Sequence, residues 1–163
     1  MFPILALMAA LSMLLPTTPW EYPVRGASMS SISKGFDPPQ HVGGHGHRGV
    51  DFPAPPGTAV YAVGAGVIIF AGTISGKPTI SLDHGLHPRL SKRPIRSTYE
   101  PVYSILPQGT TVSAGQLMGF TARGNSHCDQ ICLHLGLKMG KDSYVSPLLL
   151  WSRSPSLLPS ARG

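Results

Sequence analysis

Residues 59–71 read AVYAVGAGVIIFA, two short apolar runs on either side of Gly64-Ala65-Gly66. Runs of about five residues carrying valine and isoleucine, punctuated by glycine, predict two strands joined at a bend or bulge. Outward from this stretch the same pattern recurs. Thr79-Ile80-Ser81-Leu82-Asp83, Thr98-Tyr99-Glu100 with Val102-Tyr103, Val112, Gln116-Leu117-Met118-Gly119-Phe120-Thr121 and Cys132-Leu133-His134-Leu135-Gly136-Leu137 all have β character, the last with clean alternation. A 3.6-residue period is confined to one short turn between Ser146 and Trp151. Gly 19 and Pro 17 among 163 residues break long helices and suit short strands. The expected fold is all-β: a single, mainly antiparallel sheet or sandwich domain with few or no long helices.

At this length, with 42% hydrophobic residues, the chain buries one core rather than two. The first fifteen residues, MFPILALMAALSMLL, carry no charge and have the length of a signal peptide, too short for a comfortable, stable membrane span. The usual basic flank is missing, since the first basic residue is Arg25, which leaves an atypical export signal, a start further upstream and a hydrophobic anchor as alternatives. Residues 1–24 are therefore expected to be a signal-like or anchor segment plus connector. The Pro/Ser/Gly-rich connector runs over 16–40, and an exported protein, extracellular or cell-wall associated, is expected. Residues 152–163 read as a flexible tail, and 86–97, LHPRLSKRPIRS, as an exposed basic insertion. The formal charge of +6 suits an anionic partner or simply a solvated basic face. A nucleic-acid partner is disfavoured because the basic residues are scattered or confined to 86–97, with no interleaved aromatic stacking motif.

The chemistry-bearing residues concentrate in HVGGHGHRGVD, residues 41–51. A catalytic zinc takes three protein ligands and keeps one position open for water. His47 and Asp51 lie four apart with Gly49 between them, so one bent segment can aim both at one ion; His41 and His45 are alternates. A third ligand must come from elsewhere. His134 alternates with Leu133 and Leu135, so if the leucines face the core it faces away from it. Taken singly, each residue also has a structural reading: Asp51 as a turn former, His134 as a hydrogen-bonded strand histidine.

The flanking residues go further. The run from His47-Arg48-Gly49-Val50-Asp51-Phe52-Pro53 through Gly64-Ala65-Gly66-Val67 resembles the signature of the lysostaphin-type zinc endopeptidases. The resemblance continues through Leu82-Asp83-His84-Gly85, Ser97-Thr98-Tyr99-Glu100-Pro101-Val102, Val112-Ser113-Ala114-Gly115-Gln116-Leu117-Met118-Gly119 and the His134 strand, and covers about residues 35–150. It implies a β-sheet domain with a zinc-binding groove, and cleavage of peptide bonds in bacterial peptidoglycan. It makes His47, Asp51 and His134 the zinc ligands. The implied mechanism has zinc polarise the scissile carbonyl and activate a water. The family pattern has two assisting histidines, at whose positions this chain has Pro101 and Cys132. In this the chain resembles a variant among exported proteins of high-GC Gram-positive, actinobacterial origin.

Without those histidines a proton acceptor must be found, and Glu100, beside Pro101, is the nearest by sequence. It serves as general base, or else pairs with a nearby Lys or Arg. Two function classes follow: a zinc-dependent peptidoglycan endopeptidase, or a catalytically weak module of the same fold that binds wall peptide or regulates another hydrolase. Retention of all three ligands favours the enzyme; loss of both histidines favours the module. The two cysteines, Cys128 and Cys132, are close enough for a small disulfide loop suited to an oxidising compartment. Alternatives are a reduced pair, or a separate zinc site with His127 and His134, although that cluster is compressed for the usual ligand spacing.

Overall fold

A computed structural model describes residues 20–41, 44–87, 90–123, 132–141 and 143–152. The signal-like run, His127, Cys128 and nearly all of the C-terminal tail lie outside the described residues.

Ten strands follow in order: β1 (Gly49–Pro53), β2 (Ala59–Tyr61), β3 (Gly66–Ile74), β4 (Lys77–His87), β5 (Ser91–Glu100), β6 (Val102–Ser104), β7 (Thr111–Val112), β8 (Leu117–Thr121), β9 (Cys132–Met139) and β10 (Ser143–Val145). Every pairing is antiparallel. A seven-stranded sheet has the order β1-β9-β5-β4-β3-β7 with β10 also on β9, and β2-β8-β6 form a second, three-stranded sheet. Among the described residues the helical pieces are two 3-10 turns, Met29–Ser31 and Pro147–Leu150, the second falling inside the expected 146–151 turn. The all-β expectation holds.

The two runs of 59–71 enter different sheets, so the Gly64-Ala65-Gly66 bend is where the chain crosses between them. The bulge lies further on: register shifts between Ile68 and Phe70, leaving Ile69 as the extra residue. Residues 86–97 differ from the expected insertion loop. They are largely strand, the end of β4 and the start of β5, because Ile95 is fully buried and holds β5 on the core before its regular pairing begins.

Strand alternation sets the two faces of the large sheet. On β5, Ile95, Ser97 and Tyr99 are fully buried while Arg96, Thr98 and Glu100 take the other face. On β9, Leu133, Leu135 and Leu137 are fully buried, each contributing at most about 1.5–3 kcal/mol of burial. His134, Gly136 and Lys138 alternate with them. One core cluster joins these residues to Val60, Met118 and Val102 of the small sheet.

Much of the expected connector belongs to this domain. Trp20, Tyr22, Val24, Ala27, Ile32 and Phe36 pack on the core. Tyr22 stacks on Trp151 at 4.4 Å between ring centroids, and the Trp151 Nε1–H donates to the Glu21 carbonyl over 3.2 Å. Its Pro/Ser/Gly content concealed apolar side chains spaced widely enough to seat an irregular segment.

Candidate metal centre

β1 and β9 build the centre. Their register places Asp51 directly opposite His134, and Gly49 opposite Gly136. Asp51 is fully buried, and its backbone is also bonded on the other side: its N–H donates to the Lys34 carbonyl at 3.0 Å and its carbonyl accepts from Ser33 N–H at 2.9 Å. His47 stands just before β1, where its backbone bridges to Asp37, and is 5% exposed.

Three donor atoms converge. His47 Nε2 lies 3.0 Å from Asp51 Oδ1, His134 Nδ1 lies 2.8 Å from the same oxygen, and the two imidazole nitrogens are 3.1 Å apart. Ligands at zinc bond lengths near 2.0–2.1 Å on a tetrahedron stand roughly 3.3 Å apart, so a few tenths of an ångström of spreading would accommodate the ion. The donor chemistry fits too: two imidazoles and one carboxylate make a three-ligand set with a position left for water. His47 Nδ1 faces the Gly35 carbonyl at 2.5 Å. That bond holds the proton on Nδ1 and turns the Nε2 lone pair toward Asp51 and His134, the usual outer-shell device for fixing a ligand histidine.

Gly49 explains the glycine between the two ligands. A Cβ there would lie 2.2 Å from the Leu135 carbonyl oxygen and 2.7 Å from the His134 ring, so only a hydrogen lets β9 and its imidazole close onto β1. Gly136, its partner across the ladder, has no such crowding; a Cβ would meet nothing nearer than 3.7 Å.

The centre opens into a groove of about 630 Å³ along the outer face of the large sheet. Ile69, Phe70 and Ile74 of β3 line one part of it, and Glu100, Thr98 and Arg96 of β5 another. Glu100 shares the groove face with His134, its directly opposite partner, because Tyr99 turns inward. Glu100 Oε1 also lies 3.9 Å from Lys77 Nζ, with both side chains about a quarter exposed, so the ion pair is long and loose.

Behind the groove, β5 is anchored by a buried polar chain that sequence reasoning did not assign. Val63 N–H donates to the Tyr99 hydroxyl at 3.0 Å, that hydroxyl lies 3.0 Å from Ser97 Oγ, and Ser97 Oγ lies 2.7 Å from His84 Nε2. His84 Nδ1 donates to the Ala65 carbonyl at 2.8 Å. Burial pushes the Tyr99 hydroxyl pKa well above its usual value and holds His84 below the usual imidazole value.

Among the described residues the candidate ligand group is His47, Asp51 and His134, without His41 or His45, both of which are exposed. The alternative cluster around Cys132 depends on His127 and Cys128, outside the described residues. The groove-facing positions 96, 98 and 100 alternate with the buried Ile95, Ser97 and Tyr99. The Gly35 carbonyl carried no sequence signal, since any residue supplies one.

The family model "Peptidase family M23" matches residues 45–147. The chain belongs to the M23 peptidase family. M23 peptidases are zinc-dependent and act on peptidoglycan. Uncharacterized proteins of Mycobacterium tuberculosis and Mycobacterium bovis are each 36% identical over 129 residues, 77% of this chain and 49% of theirs. This M23 chain thus spans about half the length of the curated relatives it matches. Among solved structures, the catalytic domain of lysostaphin from Staphylococcus simulans superposes with a TM-score of 0.58 at 24% identity, over 74% of this chain and 92% of that one. A zinc containing peptidase from Vibrio cholerae gives 0.54 at 22% identity, over 74% and 37%. At these identities the two structures bear on the fold.

Proposed function

We propose that the protein is an exported zinc metalloendopeptidase that hydrolyses peptide bonds of peptidoglycan. The observation that carries this is the convergence of His47 Nε2, Asp51 Oδ1 and His134 Nδ1 within 3.1 Å of one another, open to a groove of about 630 Å³. These three residues would hold the zinc, which when bound supplies a Lewis acid and a water of lowered pKa. The chain's own contribution begins with the Gly35 carbonyl, which accepts from Nδ1 and orients the His47 ring. Glu100, across the ladder from His134, acts as the proton acceptor, a role worth a factor of about 10² to 10⁴ in rate. The loose pair with Lys77 leaves the Glu100 carboxylate accessible from the groove. The outer faces of β3 and β5 give the peptide an apolar part of the groove and a polar one.

A second reading, a peptidase-like module that binds wall peptide without cutting it, is favoured by Pro101 and Cys132 at the positions of the assisting histidines. One experiment separates the two. Purified protein loaded with zinc is incubated with peptidoglycan and soluble fragments are followed by mass, with His134→Ala as control. The enzyme releases fragments that the control does not, and Glu100→Gln binds zinc normally but cleaves at least about a hundredfold more slowly. One zinc per chain with no fragments above the control refutes the enzyme; Glu100→Gln cutting at the parent's rate refutes the role of Glu100. Export further implies a Cys128–Cys132 bridge, checked by mass before and after reduction.

A further inference from the structure

Four strands of the large sheet carry a row of side chains that the cleavage chemistry does not use. Asp83 of β4 is the register partner of Arg96 of β5, Arg96 of Lys138 of β9, and Lys138 of Tyr144 of β10. Arg96 and Lys138 thus stand directly opposite one another on the groove face, and like charges so placed destabilise a sheet. Asp83 offsets part of this, with Arg96 Nε 3.3 Å from its Oδ2. Lys138 Nζ lies over the Tyr144 ring at 4.5 Å from the centroid, and Arg48 Cζ approaches the same ring at 5.8 Å. Arg48, Arg96, Lys138 and Lys141 all line the groove, and so does Lys34, bridged to Asp51 at the metal end, whereas the acid among its described lining residues is Glu100. The groove is therefore cationic overall, with Arg96 and Lys138 paired across the ladder as a positive row away from the metal end.

We infer that this cationic row binds a carboxylate of the substrate, so that the groove selects an anionic peptide. The inference rests on the peptidase reading above and adds a distance to it. His134 and Lys138 are four residues apart on one strand, about 13 Å at 3.3 Å per residue. An extended peptide has nearly the same rise, so the recognised carboxylate sits about four residues from the bond over the metal centre. The like-charge pairing is tolerated in the free protein because half-exposed side chains are screened by water, and becomes favourable when an anion lies between them.

The test uses the full chain loaded with zinc and cross-linked peptides released from peptidoglycan, either with free carboxylates or with those carboxylates amidated. Binding of labelled peptides is measured by anisotropy, and cleavage by mass. Amidation is expected to weaken binding about tenfold, as loss of one charge-assisted contact does. Lys138→Met and Arg96→Gln should each weaken binding of the free-carboxylate peptides to a similar extent and leave the amidated ones unaffected, with zinc content and melting temperature checking the fold. Lys92→Met, an equal loss of charge on an exposed part of β5 away from the groove, should bind as the parent does. Equal affinity for both peptide sets, or a Lys92→Met loss as large as that of Lys138→Met, overturns the inference while cleavage by the parent leaves the peptidase reading standing. Neither binding nor cleavage of either set overturns both.

Discussion

Gly49→Ala tests whether close approach of β1 to β9 makes the metal centre. The new Cβ would stand 2.2 Å from the Leu135 carbonyl oxygen, and contacts under 3.0 Å essentially do not occur, so at least about 0.8 Å of separation is forced. The obstacle is backbone in the middle of a ladder, and the second contact, 2.7 Å, is the ring of a proposed ligand. β1 must shift away from β9, carrying Asp51 with it, or the His134 ring must rotate out of the centre. Overpacking of this kind costs about 1–3 kcal/mol, and displacing a ligand's support costs about 10- to 100-fold in metal affinity. Gly136→Ala is the matched control: it is the register partner of Gly49, and its Cβ would meet only ordinary contacts. Zinc affinity by chelator competition and melting by circular dichroism are read on both variants. Gly49→Ala should lose at least tenfold in affinity and several degrees of melting temperature, with Gly136→Ala within about threefold of the parent. Equal behaviour of the two variants would refute the claim that inter-strand closeness organises the site.

The polar chain behind the groove yields two further expectations. Tyr99→Phe leaves the buried Val63 N–H without its acceptor and should destabilise the fold by roughly 1–3 kcal/mol, read as a lowered urea midpoint; an unchanged midpoint would mean that the N–H finds another partner at no cost. His84 is held below the ordinary imidazole pKa of 6.5 chiefly by burial, so the unfolded chain binds its proton more readily than the folded one. Its contribution to stability is complete above about pH 6.5 and is lost as pH falls from there through the folded-state value. The stability difference between the parent and His84→Gln should therefore narrow on acidification from pH 8 to 5 in melting experiments. A difference that stays constant or widens contradicts the assigned protonation.

What the sequence disclosed about the site was local. Clean alternation in Cys132-Leu133-His134-Leu135-Gly136-Leu137 told which way His134 points, because two flanking leucines can only face the core. The four-residue spacing of His47 and Asp51 told that their donor atoms converge, although the bend between them is less a loop than the last irregular residues before β1, held by the Asp37 bridge. Glu100 was harder. Only its place beside Pro101 singled it out, whereas the deciding fact is that Tyr99 is wholly buried and anchored by a hydrogen bond, so the residue after it must face the groove. The packed segment 20–36 was hidden by its composition, since irregular backbone has no period to betray which side chains are apolar anchors.

Register is the part that no local pattern supplies. Asp51, His134 and Glu100 occupy one rung of the β1-β9-β5 ladder, with His134 the partner of both others. Their spacing is therefore set by the inter-strand distance of about 4.8 Å rather than by any loop. A one-residue slip of β9 would turn His134 into the core and expose Leu133 and Leu135, so the hydrophobic pattern that stabilises the sheet also fixes the ligand geometry. Only His47 of the three candidate ligands reaches the centre from outside the ladder, and it has a dedicated backbone acceptor at Gly35 to orient it. A ligand carried on a paired strand is oriented by pairing; one carried on irregular backbone needs its own restraint. That difference explains why the short run His47 to Asp51 marks the site in the sequence, while its precision comes from strands brought together across more than eighty residues.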